Sequence, residues 1–342
     1  MEGCPVTITF RKEQEWLTLH DPMQDGKLID RATEIRYDPL TGETSRILFD
    51  PGAPFAPPDY TEEASKGWCP FCEENVRAAT PKFPDQVMEG GRMEKGEAVL
   101  FPNLFPYAKH NAVIRITKQH YTRLEEFTAD RISDAFLLAH RYLEKVIATD
   151  PTVKHVSINW NYLPPSGGSI LHPHIQVLAS EHPTRYQAVT SAAVQRYYKE
   201  HGADYYGALI EEERRLGVRW VGQQNQLNWV HAFAPRSHMD FIGVFEGVHS
   251  FTELDASGCE AIANSMMRFF PYLNEKGLAS FNLAMFIPIQ PSSGRAHIRL
   301  VPRLTYGALG TSDIHTLNFL HSESLSLKAP ESIAAEAAEH FR

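Results

Sequence analysis

Pro165-Ser166-Gly167-Gly168-Ser169-Ile170-Leu171-His172-Pro173-His174-Ile175-Gln176-Val177 is the stretch on which the reading of this chain turns. From Leu171 to Val177 apolar and polar residues alternate. A strand sends successive side chains to opposite faces, so His172, His174 and Gln176 are expected on one face and Leu171, Pro173, Ile175 and Val177 on the other. The apolar side packs on a core, and the polar side displays three hydrogen-bonding groups in a row. The proline suits an edge or an irregularity in the strand. Upstream, Ser166 to Ser169 offer backbone N–H groups and hydroxyls of the kind that hold phosphate oxygens. Two solvated histidines on a sheet face are the competing reading. A glycine-rich turn running into a His-x-His-x-Gln face points instead to phosphate chemistry.

The same pattern returns in the second half. Phe105-Pro106-Tyr107-Ala108-Lys109-His110 is echoed by Phe233-Ala234-Pro235-Arg236-Ser237-His238, and His120-Tyr121-Thr122-Arg123-Leu124 by His249-Ser250-Phe251-Thr252-Glu253-Leu254. Pro165 to Gly168, leading to His174, is echoed by Pro291-Ser292-Ser293-Gly294, leading to His297. Three echoes in one order imply a duplicated α+β unit with antiparallel strands and one long helix per half. The halves are expected at residues 1–182 and 183–342. Between the first two echoes and the last, Ile132, Phe136, Ala139, Leu143 and Val146 recur at helical spacing, with Thr128 as cap, and predict a helix to about Ala148. Its counterpart is expected from Asp255 to about Asn274. Short strands are expected at 98–101, 112–116, 156–160 and 170–178, and helices at about 183–218 and in the Ala-rich tail from Ala329. The first ~60 residues read mostly as turns and loops. The second half has Arg295 where the first has His172 and lacks a Cys-x-x-Cys, so chemistry is expected in the first half.

Composition narrows the class. The 342 residues are 43% hydrophobic and 22% charged, as in a globular protein able to bury a core. No run of about 18 apolar residues is present, and the charged N-terminus lacks the apolar stretch of a signal peptide, so no membrane span and a cytoplasmic location are expected. A formal net charge of −9 without a basic tract argues against nucleic acid. Four cysteines (Cys4, Cys69, Cys72, Cys259) are too few for a disulfide framework. Cys69-Pro70-Phe71-Cys72 has the gap that lets two thiolates bind one tetrahedral ion, usually zinc, with histidines completing the set. A redox pair is the alternative reading.

Together these residues resemble the galactose-1-phosphate uridylyltransferase family of the histidine-triad superfamily. The resemblance is carried by Arg36-Tyr37-Asp38-Pro39-Leu40-Thr41-Gly42-Glu43, by Cys69-Pro70-Phe71-Cys72, by Asn103-Leu104-Phe105, and by Asn161, Ser169, His172, Pro173, His174 and Gln176 at the family spacing. It implies zinc held by Cys69, Cys72, His120 and His172, with His110 as a rival third ligand. It implies His174 as nucleophile, Ser169 and Gln176 on the transferred phosphate, and Arg36, Asn103, Phe105, Asn161, Gly167 and Gly168 as substrate-binding residues. The activity implied is transfer of a nucleoside monophosphate from a nucleoside diphosphate sugar or related nucleotide to an acceptor phosphate, through a covalent His174 intermediate in a homodimer. Phosphorolysis or hydrolysis of dinucleoside polyphosphates or nucleotide conjugates is the alternative. Gln176, where related hydrolases carry histidine, favours transfer. Arg295-Ala296-His297 departs from the His-x-His of a second metal site, and Asn161-Tyr162-Leu163 from the family's Asn-Lys-Gly. Arg295, Arg299 and Arg303 either present charge to a substrate or line a solvated face.

Overall fold

Ile132, Phe136, Ala139, Leu143 and Val146 are all buried on one side of a helix running from Ala129 to Thr149, and Thr128 accepts the Arg131 N–H at its start. The structure, a computed structural model, describes residues 8–48, 55, 57–307 and 310–342; Cys4 lies outside them. Strands β1 (Lys12–Asp21), β2 (Lys27–Tyr37) and β3 (Thr44–Leu48) come first, then helices α1 (Thr61–Ala64) and α2 (Val76–Ala79). The first repeat comprises β4 (Met93–Lys95), β5 (Ala98–Pro102), β6 (His110–Arg115), α3 (Ala129–Thr149), β7 (His155–Tyr162) and β8 (His174–Ser180). Helices α4 (Arg185–His201) and α5 (Tyr205–Leu216) link it to the second: β9 (Trp220–Gln224), β10 (Leu227–His231), β11 (Phe241–Phe245), α6 (Ala256–Glu275), β12 (Ser280–Ile287) and β13 (His297–Arg303). The chain closes with β14 (Thr305–Tyr306), β15 (Thr311–Ser312), α7 (Thr316–Leu320), β16 (Ser324–Ser326) and α8 (Pro330–Glu339).

The fold is the expected duplicated α+β arrangement, with one long helix per repeat, α3 and α6. The two expected antiparallel sheets are joined edge to edge into one of ten strands, ordered β4-β5-β6-β8-β7-β12-β13-β11-β10-β9, every neighbouring pair antiparallel. The order reads the same from either end once each strand is replaced by its repeat equivalent. The seam is the β7–β12 ladder, from Val156 opposite Ile287 to Tyr162 opposite Phe281. Edge-joining leaves neither half with a bare inner strand to present unpaired backbone groups.

Alternation then divides the sheet. Val156, Ile158, Trp160 and Tyr162 of β7, Ile175, Val177 and Ala179 of β8, and Phe281, Leu283, Met285 and Ile287 of β12 face the two long helices in one core. Trp160 and Phe281 meet across the seam at 5.0 Å between ring centroids, and Phe270 of α6 lies 5.4 Å from Phe127 of the first repeat. Truncating a residue such as Trp160 to alanine costs about 3–5 kcal/mol. The opposite face carries His174 and Gln176, Asn159 and Asn161, and His297 and Arg299. A two-fold axis normal to a sheet maps each face onto itself, so the histidine of each repeat stands on the same side.

The N-terminal region corrects the sequence reading. Where turns were expected, β1 and β2 form a ten-pair hairpin, and β3 with β16 extends it to a four-stranded sheet. Its outer half is exposed on both faces, Trp16 and Leu17 included. A hairpin without a one-sided apolar pattern gives little strand signal. No described helix is long and apolar enough to cross a membrane.

Candidate active site

The strand carrying His174 begins at that residue and not at Ile170. Pro173 has no N–H to donate to a ladder, and residues 163–173 form a turn in place of the expected strand start. His172 therefore leaves the shared face. It is fully buried, and its ring turns to the cysteine loop, with Nδ1 3.9 Å from both Cys69 Sγ and Cys72 Sγ. His120, from the loop after β6, places Nδ1 3.5 Å from Cys72 Sγ. The four ligand atoms of Cys69, Cys72, His120 and His172 all lie within 4.8 Å of one another. Tetrahedral zinc bonds of 2.0–2.3 Å put sulfur and nitrogen ligands ~3.6 Å apart, so the set fits a single metal ion. His172 Nε2–H donates to the Thr117 carbonyl at 2.6 Å, which fixes the tautomer that leaves Nδ1 free to coordinate. Burial lowers the His172 pKa to about 4 and raises that of the Cys72 thiol to about 11, the latter with help from neighbouring Cys69.

The rival ligand, His110, is excluded from this cluster. It sits at the far end of β6, where Nε2 meets Asp150 at 2.7 Å, opposite Ala179 in the ladder. The cluster end of β6 is Arg115, five residues and ~17 Å away.

His174 lies beside Arg115 in the β6–β8 ladder and is 8% exposed. Phe71, between the two cysteines, covers it edge-on at 5.3 Å. Its Nδ1–H donates to the carbonyl of His172 at 2.8 Å. A carbonyl only accepts, so the proton resides on Nδ1 and the lone pair on Nε2. Among the described residues nothing hydrogen-bonds that Nε2. Burial lowers the His174 pKa, keeping the ring neutral. Arg115, fully buried, braces the cysteine loop through Glu73 (2.8 Å) and the carbonyls of Glu97 (2.9 Å) and Phe71 (3.4 Å).

Gln176, half-buried, shares the His174 face and lies opposite Asn159 of β7. Asn161 is two residues further along the same face, exposed, and accepts the Asn282 amide at 2.8 Å. Asn282 also donates to the Ser166 carbonyl at 2.8 Å and accepts from Arg303, which pairs with Asp313. The second repeat thus anchors the turn. Leu163 adopts φ +68°, a conformation costly for a branched residue. Gly167 follows at φ +87°, and a Cβ on Gly168 would lie 3.2–3.3 Å from the carbonyl oxygens of Leu163 and Asn161. Gly167 and Ser169 are exposed. Asn103 stands at the turn between β5 and β6, joined to Asn111 at 3.0 Å and accepting the Phe105 N–H at 3.0 Å. Asn111 is opposite Leu178, four residues or ~13 Å along β8 from His174, and the Phe105 ring is exposed there.

Arg36 is placed elsewhere. Its buried guanidinium bonds Glu34 (2.6 Å) and both oxygens of Glu331 (2.8 and 2.9 Å) and stacks on Phe233 of the second repeat. The substrate-binding reading of Arg36 is therefore corrected: two carboxylates and the Phe233 carbonyl take four hydrogen bonds from its guanidinium inside the protein. Likewise Arg295, Arg299 and Arg303 are neither free nor solvated, being paired with Asp204, Asp240 and Asp313. Sequence reasoning missed Thr117, Asn282 and the Arg115–Glu73 brace. An arginine inside the apolar run Ala112 to Ile116 is the one signal it had.

Comparison with known proteins follows the same lines. No family model matches the sequence. An uncharacterised protein of Archaeoglobus fulgidus is 37% identical over 336 residues, 97% of this chain and 98% of that one. Among solved structures, a GalT-like protein of Arabidopsis thaliana superposes with a TM-score of 0.69 at 14% identity, covering 89% of this chain and 98% of that chain. An ADP-glucose phosphorylase of Arabidopsis thaliana with bound ADP-glucose gives 0.69 at 14% (90% and 99% covered), and a uridylyltransferase 0.65 at 18% (90% and 98%).

Proposed function

This chain belongs to one family with the Archaeoglobus fulgidus protein and has the fold of the galactose-1-phosphate uridylyltransferases, and from that premise we propose that it moves a nucleoside monophosphate from a nucleoside diphosphate sugar to an acceptor phosphate. The observation that carries the reading is the state of His174: a neutral imidazole with Nδ1–H tied to its own backbone and Nε2 unbonded, on the face shared with Gln176 and the Asn161 turn. In the first step the Nε2 lone pair attacks the α-phosphorus. The bond from phosphorus to the bridging oxygen breaks, and the sugar phosphate leaves with that electron pair. In the second step an acceptor phosphate oxygen displaces the imidazole, which regains its lone pair. The His172 carbonyl steadies the cationic ring between the steps. Ser169, the Gly167–Gly168 amides and the Gln176 amide stabilise charge on the non-bridging oxygens. The nucleoside then runs along β8 toward Asn103 and Phe105, whose exposed ring suits a base.

The chemistry is assigned to residues 1–182. Zinc on Cys69, Cys72, His120 and His172 supplies, when bound, a closed structural tie. The chain's own contribution there is to hold the turn that aims His174. A cytoplasmic, reducing location keeps the thiols available. The exposed β1–β2 hairpin with Trp16 and Leu17 supports a homodimer, which light scattering checks. Inorganic phosphate is the acceptor that the ADP-glucose phosphorylase likeness suggests first.

The test is intact-mass spectrometry after incubation with a panel of nucleoside diphosphate sugars. A gain of one nucleoside monophosphate is expected on the native chain and none on His174→Ala. Exchange that proceeds without any adduct overturns the covalent route. Monophosphate released with no acceptor present identifies a hydrolase.

A further inference from the structure

The second repeat holds an imidazole in the same setting as His174. His297 opens β13, as His174 opens β8, and its Nδ1 meets the carbonyl two residues before it, that of Arg295, at 3.1 Å. Its Nε2 differs: the hydroxyls of Tyr186 and Tyr206 both lie 3.1 Å away, donating to the one lone pair. An imidazole capped in this way is no nucleophile. Above it, however, the structure keeps a cavity of about 510 Å³, between α4, the end of β12 and the Pro291–Arg295 turn. The volume is that of a site for a small organic ligand.

We propose that this cavity is a second, non-catalytic binding site for a nucleoside phosphate. No carboxylate lines it, although the chain carries a net charge of −9. Lys154 and Arg295 stand in its wall instead. Asp204 neutralises much of the arginine charge at 2.5 Å, whereas Lys154 is exposed and only loosely paired with Glu181 at 3.8 Å. The turn is pre-formed. Ser292 Oγ accepts the Gly294 N–H at 3.1 Å, and His249 Nδ1–H donates to the Gly294 carbonyl at 3.0 Å. The hydroxyls of Ser191 and Ser293 add donors for phosphate oxygens to the wall. Val194, beside the turn, and the Phe286 ring, itself held against Tyr186 at 4.5 Å, add apolar surface to the wall. A base can lie against that apolar surface. The second repeat thus keeps the imidazole's orientation, while the two tyrosines occupy its outer nitrogen.

The ligand class rests on the transferase reading, but the test separates the two. Equilibrium dialysis with labelled ADP is expected to give two equivalents per native chain. Ser191→Trp fills the cavity from exposed helix surface and reduces the count to one, with adduct formation at His174 unchanged. Lys154→Glu, at an exposed position that folding tolerates, weakens the second site about tenfold. A photoreactive azido-ADP is expected to label peptides spanning 186–195 and 286–297. A count and labelling pattern that both substitutions leave unchanged, or labelling confined to peptides around residues 161–176, overturns the proposal. Cavity labelling without any His174 adduct supports it while sinking the transferase reading.

Discussion

His174 and His297 stand at equivalent points of two repeats, and the difference between their surroundings is the ground on which the proposed chemistry is assigned to one half and not the other. Both imidazoles tie Nδ1 to the carbonyl two residues upstream. Both lie on the polar side of one sheet. Around His174, Cys69, Cys72, His120 and His172 gather into a set that could hold a metal ion; around His297, Arg295 pairs with Asp204 and His249 bonds the turn carbonyl. Equivalent turns thus stand beside a Cys-His cluster in one repeat and an ion pair in the other. The two imidazoles differ at the outer nitrogen, unbonded among the described residues in one half and capped by two tyrosines in the other. Retaining a fold position does not retain its chemistry.

The largest test of that contrast is the pair of alanine substitutions. His174→Ala is expected to cost more than about 10⁴-fold in exchange rate, as removal of a nucleophile does. His297→Ala should leave the adduct on His174 intact by mass spectrometry. Equal loss in both would erase the distinction between the halves.

Metal removal should divide them next. Chelation, or Cys69→Ser, is expected to release one metal ion per chain and to abolish exchange, with a large drop in Tm. Structural zinc sites contribute ~10–16 kcal/mol in small domains, and a core this size absorbs part of that loss. Hydrogen exchange should then show opening at residues 69–72 and 163–174 while β10 to β13 stay protected. Opening in the second half instead would show that the ion pair at Arg295 depends on the metal.

Acid should act on both halves, since burial holds His172 of the first at about 4 as well, but through more groups in the second. Burial holds His231, His238 and His297, all in the second half, at about 4, against about 6.5 when unfolded. Between those values the unfolded chain binds more protons, so stability falls as pH drops from 6.5 to 4 and is unchanged by these groups above 7. At pH 5 each contributes about 2 kcal/mol of the loss. Urea denaturation at pH 7 and pH 5 measures the sum, and His238→Gln should flatten the dependence.

The smallest difference concerns two glycines. Gly168→Ala places a Cβ 3.2 Å from a carbonyl oxygen that the strained turn cannot move, and about 1–3 kcal/mol is expected. Gly294→Ala meets only side chains, Val194 at 3.4 Å and Ser292 Oγ at 3.6 Å, both ordinary contacts, and should fall within ~0.5 kcal/mol. Thermal denaturation of both variants makes the comparison.

Much of this was legible beforehand. Helical spacing located α3 and α6 within two residues, and the three echoes located the repeats, because periodicity and order are local properties. Cys69, Cys72, His120 and His172 were readable as a metal set, and they converge. Residues 12–37 were missed since a hairpin exposed on both faces lacks an apolar stripe. Arg36 misled because a motif shows which side chain is present and not which carboxylates surround it. Sequence neighbours favour His120 over His110 as the third ligand. Strand register separates them, with a whole strand between.

Residue order by itself determined the duplication, the alternation that sends His174 and Gln176 to one side, and the absence of a second cysteine pair. Three-dimensional packing alone decided that both repeats share a single sheet, that the His172 ring swings to the metal loop, and that Tyr186 and Tyr206 cap His297. Pattern along a chain encodes which face a side chain takes. Which atoms occupy a lone pair depends on groups 91 to 111 residues away, brought together only when the core closes.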